Sequence, residues 1–169
     1  MSKVKDHHLL VTRNNLLSEI DGLTHEEMNY HSEENRWTIA QVCHHLSLTE
    51  ETFAKAIAYG LKTSTIYSEP KKIDFMLDRS IKLEAPEIVQ PLMESFTSRQ
   101  LVDQLSNSRK ILMSILNSVD DTAILSEKSV KHPFLGDLPL FQWIELIYLH
   151  EQRHIQQIQE IKTQYRNMR

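Results

Sequence analysis

Chain breakers are scarce: three glycines and five prolines are spread over 169 residues. An all-β chain needs a turn about every 8–12 residues, so this scarcity favours a few long helices. The apolar residues fall at helical spacing in four places. Leu9, Leu16, Ile20 and Leu23 predict a first helix from about Lys3 to Asp21, with Gly22 as its stop. Thr38 with Gln41 forms a capping box for a second helix reaching about Gly60, whose inward face is Ile39, Val42, Leu46, Phe53 and Ile57. Thr97 with Gln100 opens a third, to about Val119, turning Leu101, Leu105, Ile111 or Leu112, Ile115 and Val119 inward. Pro139 suits the first turn of a fourth, which runs to about Tyr165.

The connections are unequal. Thr24 to Arg36 is polar, and a loop containing His132-Pro133-Phe134-Leu135-Gly136 precedes the fourth helix. The stretch from Leu61 to Phe96 is interrupted by Pro70, Pro86 and Pro91, with room for a short helix near Ile73 to Asp78. A connection this long can cross the bundle, so that the second and third helices run parallel. The expected fold is all-α, a four-helix bundle in one domain over residues 1–169, with a long crossover between helices two and three.

Charge and composition exclude several functions. The net charge of −4 and scattered Lys and Arg residues, with only a pair at Lys71-Lys72, argue against nucleic-acid binding. The lone Cys43 has no partner for an intramolecular disulfide, and there is no cysteine cluster for zinc. The first eight residues carry no apolar signal core, and no apolar run has the length of a membrane span, so a cytoplasmic protein without membrane partners is expected.

Nine histidines are the compositional oddity. His150 and His154 lie inside the stripe of Trp143, Ile147, Ile158 and Ile161, four residues apart and side by side on the helix. Imidazoles among core residues need their nitrogens satisfied, either by a metal ion or by carboxylates and water. On the second helix His44 points away from the apolar face and is expected to be solvated. His45 lies at the flank of that face, where it can reach across the bundle as a third ligand. Three histidines leave coordination positions open, as in a catalytic rather than a structural site.

His150-Glu151-Gln152-Arg153-His154 also fits the HExxH pattern of zinc proteases, in which Glu151 would be a general base. The 15 residues after His154 are too few for the usual downstream ligand, so Glu151 reads as a surface or outer carboxylate. Cys43 faces the core and reads as inert. His7, His8, His25 and His31 sit among polar residues and read as solvated, while His132 either lines the site mouth or caps its loop.

Three segments together resemble the DinB-like superfamily of metalloenzymes: Trp37 to Leu46 (WTIAQVCHHL), His132 to Gly136 (HPFLG) and Leu149 to Ile158 (LHEQRHIQQI). The resemblance implies an up-down-down-up four-helix bundle with a three-histidine site for nickel, zinc or a similar divalent ion. Its first ligand is the histidine before the leucine of an HL pair, here His45, and the others correspond to His150 and His154. Some relatives are thiol S-transferases using bacillithiol or mycothiol; others resemble maleylpyruvate isomerases or ergothioneine-pathway enzymes. The resemblance thus implies a metal-dependent thiol S-transferase acting on small electrophiles, with metal-assisted hydrolysis or a non-catalytic metal-binding stress module as alternatives. A homodimer is also implied.

Overall fold

Capping fixes where the long helices begin. Thr38 Oγ1 accepts from the Gln41 backbone N–H at 3.1 Å while the Gln41 side-chain Oε1 accepts from the Thr38 N–H at 3.0 Å. Thr97 and Gln100 repeat the reciprocal pair at 3.2 and 2.8 Å. In the computed structural model, which describes residues 3–32 and 36–169 with side chains from His7 onward, these caps open α3 (Ile39–Thr63) and α4 (Ser98–Asn117). The other long helices are α1 (Lys3–Ile20) and α6 (Leu140–Asn167). Gly22, at φ +71°, ends the first of them in the left-handed conformation that glycine adopts freely.

Two apolar layers fix the directions of the helices. One joins the end of α1 (Leu16, Ile20) to the start of α3 (Ile39, Val42, Leu46), the start of α4 (Leu101, Leu105) and the end of α6 (Ile155, Ile158, Ile161). The other joins Leu9 of α1 to Ile57, Leu112, Leu116 and the residues Leu140 to Ile147 at the start of α6. Early α3 therefore meets early α4, and both run against α1 and α6. The topology is up-down-down-up, with the crossover the sequence implies. On α4 the inward residue is Leu112, whereas Ile111 is exposed, and Leu116 is buried where Ile115 and Val119 are only half-buried.

The connections hold more structure than their composition predicts. A single turn, α2 (His25–Met28), is capped by Thr24 and Glu27 and fully buries Met28; residues 1–2 of the N-terminal run and 33–35 of the polar stretch lie outside the described residues. The crossover carries 3₁₀ turns at Asp74–Leu77, where a short helix is expected, and at Glu87–Val89. Before α6 come a turn, α5 (Ile124–Glu127), and an antiparallel hairpin of β1 (Ser129–His132) and β2 (Gly136–Pro139). This hairpin stands where a loop holding His132 to Gly136 is expected, and it leaves the four-helix bundle intact. Its strands, SVKH and GDLP, carry no strict alternation of apolar and polar residues, and Gly136 closes the turn at φ +69°.

Gly60 does not end α3, which continues to Thr63. It marks a close approach instead: a Cβ there would meet Val130 Cγ2 at 2.5 Å and Leu140 Cδ2 at 2.6 Å. Gly60→Ala is expected to destabilise the protein by about 1–3 kcal/mol despite alanine's better helix propensity. Urea denaturation checks this; a stabilised variant would contradict the contact.

Candidate metal centre

His45 stands near the start of α3, and His150 and His154 lie on successive turns of α6. The antiparallel packing of these two helices brings the three rings together. His150 Nε2 is 3.0 Å from His45 Nε2 and 3.0 Å from His154 Nε2. One ligand atom from each residue lies within 4.8 Å of the others, and among the described residues this is the group of His, Cys, Asp and Glu with that geometry.

The far nitrogens decide what the near ones present. His45 Nδ1 is 2.7 Å from the Val89 carbonyl oxygen, which can only accept, so Nδ1 carries the proton and Nε2 a bare lone pair. His154 Nδ1 is likewise 2.8 Å from Gln157 Oε1. Lone pairs aimed at one another repel unless a cation or a proton lies between them. Separations of this size suit one ion bonded at about 2.0–2.1 Å to each nitrogen, so the donor set fits a divalent metal.

Electrostatics favours the neutral, ligating form. Burial pushes His45 down to about 4, against the Val89 hydrogen bond and with help from His44. Burial and His45 push His154 down to about 3. His150 also lies well below its ordinary value, through burial and its two neighbours. In the unfolded chain each titrates near 6.5. Between that value and the folded ones the unfolded state binds more protons, so stability rises with pH and is lost on acidification. Melting temperatures of metal-free protein are expected to fall steadily from pH 7 to pH 4. The slope is on the order of 1.4 kcal/mol per pH unit for each histidine. A midpoint independent of pH in this window would refute neutral burial.

The crossover completes the surroundings. Its Val89 fixes His45, and the Leu92 N–H donates to His44 Nδ1 at 3.2 Å. His44 is therefore buried at 7% exposure against Phe96, not solvated as its place on the helix suggests. A helical wheel ranks faces against other helices and cannot show a loop folding over the outer one. Arg153 clamps the same crossover, donating to the carbonyls of Met76, Asp78 and Ile81 at 3.1, 2.7 and 2.6 Å. Trp37 packs over the site, its ring 4.7 Å from His45 and 6.3 Å from His154. The roles of Val89, Arg153 and Gln157 escape a reading of the sequence. Only Gln157 leaves a signal, three residues after His154 on the same helix.

Glu151 is not at the surface. At 2% exposure it accepts from Arg13 Nε and Thr12 Oγ1, each at 2.7 Å. Arg13 Nη2 also donates to Glu50 Oε2 at 2.7 Å, and Arg109 Nε to Glu50 Oε1 at 2.6 Å, while the Ser108 hydroxyl donates to Glu50. All four long helices meet in this ionic cluster. A carboxylate held in this way does not serve as the general base of the HExxH mechanism.

The remaining candidates fall into place. Cys43 is fully buried, and burial pushes its thiol up to about 12, which makes it inert. His132 lies on β1 rather than in a loop and packs 5.0 Å from Trp143, apart from the three-histidine group. His7, His25 and His31 are exposed, but His8 is half-buried and stacks on Tyr148 at 4.9 Å.

The model of the DinB superfamily matches residues 8–158. The uncharacterized protein YuaE of Bacillus subtilis (strain 168) is 30% identical over 146 residues, 86% of this chain and 89% of YuaE. Two solved structures share the fold at low identity. YfiT from Bacillus subtilis, described as a probable metal-dependent hydrolase with an unusual four-helix bundle topology, has a TM-score of 0.66 at 19% identity, covering 96% of this chain and 89% of YfiT. TT2238, a four-helix bundle protein, has a TM-score of 0.63 at 16% identity, covering 95% and 99%.

Proposed function

The chain belongs to the DinB superfamily, and on that footing we propose that it is a metal-dependent enzyme acting on small molecules, with His45, His150 and His154 as the ligands of one divalent ion. The observation that carries this reading is the convergence of three Nε2 atoms whose outer nitrogens, in His45 and His154, already have acceptors. A nickel or zinc ion held there would supply Lewis acidity, favouring the deprotonated form of a water or thiol beside it. The chain's own part is to hold three neutral imidazoles in register, to shield them under Trp37, and to leave coordination positions that the protein does not fill.

The nucleophile distinguishes two readings. Hydrolysis is supported by the description of YfiT, a structural neighbour. Thiol S-transfer, with bacillithiol or a similar low-molecular-weight thiol attacking an electrophile, is supported by the resemblance of the WTIAQVCHHL, HPFLG and LHEQRHIQQI segments to the superfamily. We place the protein in the cytoplasm as a homodimer; no helix among the described residues is long and apolar enough to cross a membrane.

Metal analysis of untagged protein, followed by assays of generic ester hydrolysis and of thiol consumption with a generic electrophile, tests the proposal. Activity is expected in one assay and lost in His45→Ala. Turnover unchanged by that substitution would overturn the role of the site.

A further inference from the structure

The three imidazoles are not equally supported. With each Nε2 turned to the common centre, each Nδ1 carries a proton that needs an acceptor. Val89 serves His45, and Gln157 serves His154. Among the described residues the hydrogen-bonding contacts of His150 are those of its Nε2. His150 lines a partly enclosed cavity with about 10 Å³ of room for the centre of a water molecule, the size of a one-water site. Its polar walls are His150, Thr49, Arg13, Glu50 and Glu151.

We propose that a single buried water fills this cavity, accepting from His150 Nδ1–H and donating to the carboxylates of Glu50 and Glu151, so that the ionic cluster of the four helices is the outer support of the metal centre. This depends on the three histidines being the metal ligands. A buried water is retained when it has two to four polar partners, about three being typical, and these walls supply that number. The carboxylates suit the role because they are acceptors already fixed in place: Arg13 bridges both, and Arg109 and Ser108 hold Glu50. Glu50 and Glu151 are then positioning residues. Through the water they set the tautomer and tilt of the His150 ring, as the direct acceptors do for the other two histidines. The position of Glu151, one residue after a ligand, is explained without the base chemistry that HExxH suggests.

A crystal structure of the zinc-loaded wild type is the direct test. A water within hydrogen-bond distance of His150 Nδ1 and of either carboxylate is the expected result. A dry cavity, or a direct acceptor such as Thr49 Oγ1 on that nitrogen, would overturn it. Zinc titrations with ¹⁵N imidazole spectra give the functional arm. Glu151→Gln and Glu50→Gln are expected to weaken zinc binding about tenfold and to shift the His150 Nδ1–H resonance while leaving those of His45 and His154 in place. Thr12→Val also loosens Glu151 but does not line the cavity, so it is expected to lower stability with zinc affinity unchanged. A wild type that binds no zinc overturns the metal reading and this proposal together. Zinc affinity and His150 resonance unaltered in both glutamine variants overturn this proposal alone.

Discussion

Replacing His154 by alanine is expected to take bound metal from about one equivalent per chain to background. Two imidazoles cannot hold a divalent ion against solvent as three do, and His150→Ala should behave alike. Helicity should survive, because the backbone of α6 and its apolar stripe are untouched. His44→Ala is the informative control. It has the same 7% exposure as His154 and lies beside His45 in sequence, but its Nδ1 is occupied by the Leu92 N–H and it is outside the converging group. It should keep full metal content. Elemental analysis of untagged protein reads all three, and equal metal in wild type and His154→Ala would sink the assignment.

Arg13→Met should be the most damaging single change away from the histidines, costing about 3–5 kcal/mol. Burial by itself would lower the guanidinium pKa, but Glu151 and Glu50 outweigh it and leave Arg13 above its ordinary value. Both carboxylates are 2% exposed, and removing Arg13 leaves Arg109 to face them. The loss should appear as a lower urea midpoint. Adding Glu151→Gln to Arg13→Met should recover part of it, since the penalty comes from stranded negative charge rather than from missing volume. No recovery in the double variant would show that packing, not electrostatics, holds the cluster.

The long helices are legible in the sequence because their signals are local. Thr38 with Gln41 and Thr97 with Gln100 lie within one turn, and the stripe through Trp143, Ile147 and Ile158 repeats over several. The pair His150 and His154 is visible for the same reason, as polar residues interrupting an apolar pattern. The angle of His45 on its helix favours it over His44, but the burial of His44 is not legible. It depends on a crossover whose path is set by Arg153 gripping three carbonyls and by Val89 meeting His45. Backbone carbonyls have no sequence signature. The burial of Glu151 is hidden for a related reason: its partner Arg13 lies 138 residues away, and periodicity within α6 says nothing about a cation on α1. The hairpin before α6 leaves no trace because its four-residue strands, SVKH and GDLP, do not alternate apolar with polar residues.

The ionic cluster has a consequence for how the molecule comes into being. Its cation Arg13 is on α1 and its anion Glu151 on α6, 138 residues later, and the three-histidine group joins residues 105 positions apart. Neither can be completed on a partial chain. During synthesis α3 therefore carries Glu50 without its full set of partners, and the N-terminal helices wait as an unfinished assembly until α6 docks. Metal capture at the proposed site would then report on the docking of α6: an ion that binds only the closed bundle would stabilise it by mass action, and chains cut before α6 would forfeit charge balance and ligand set together.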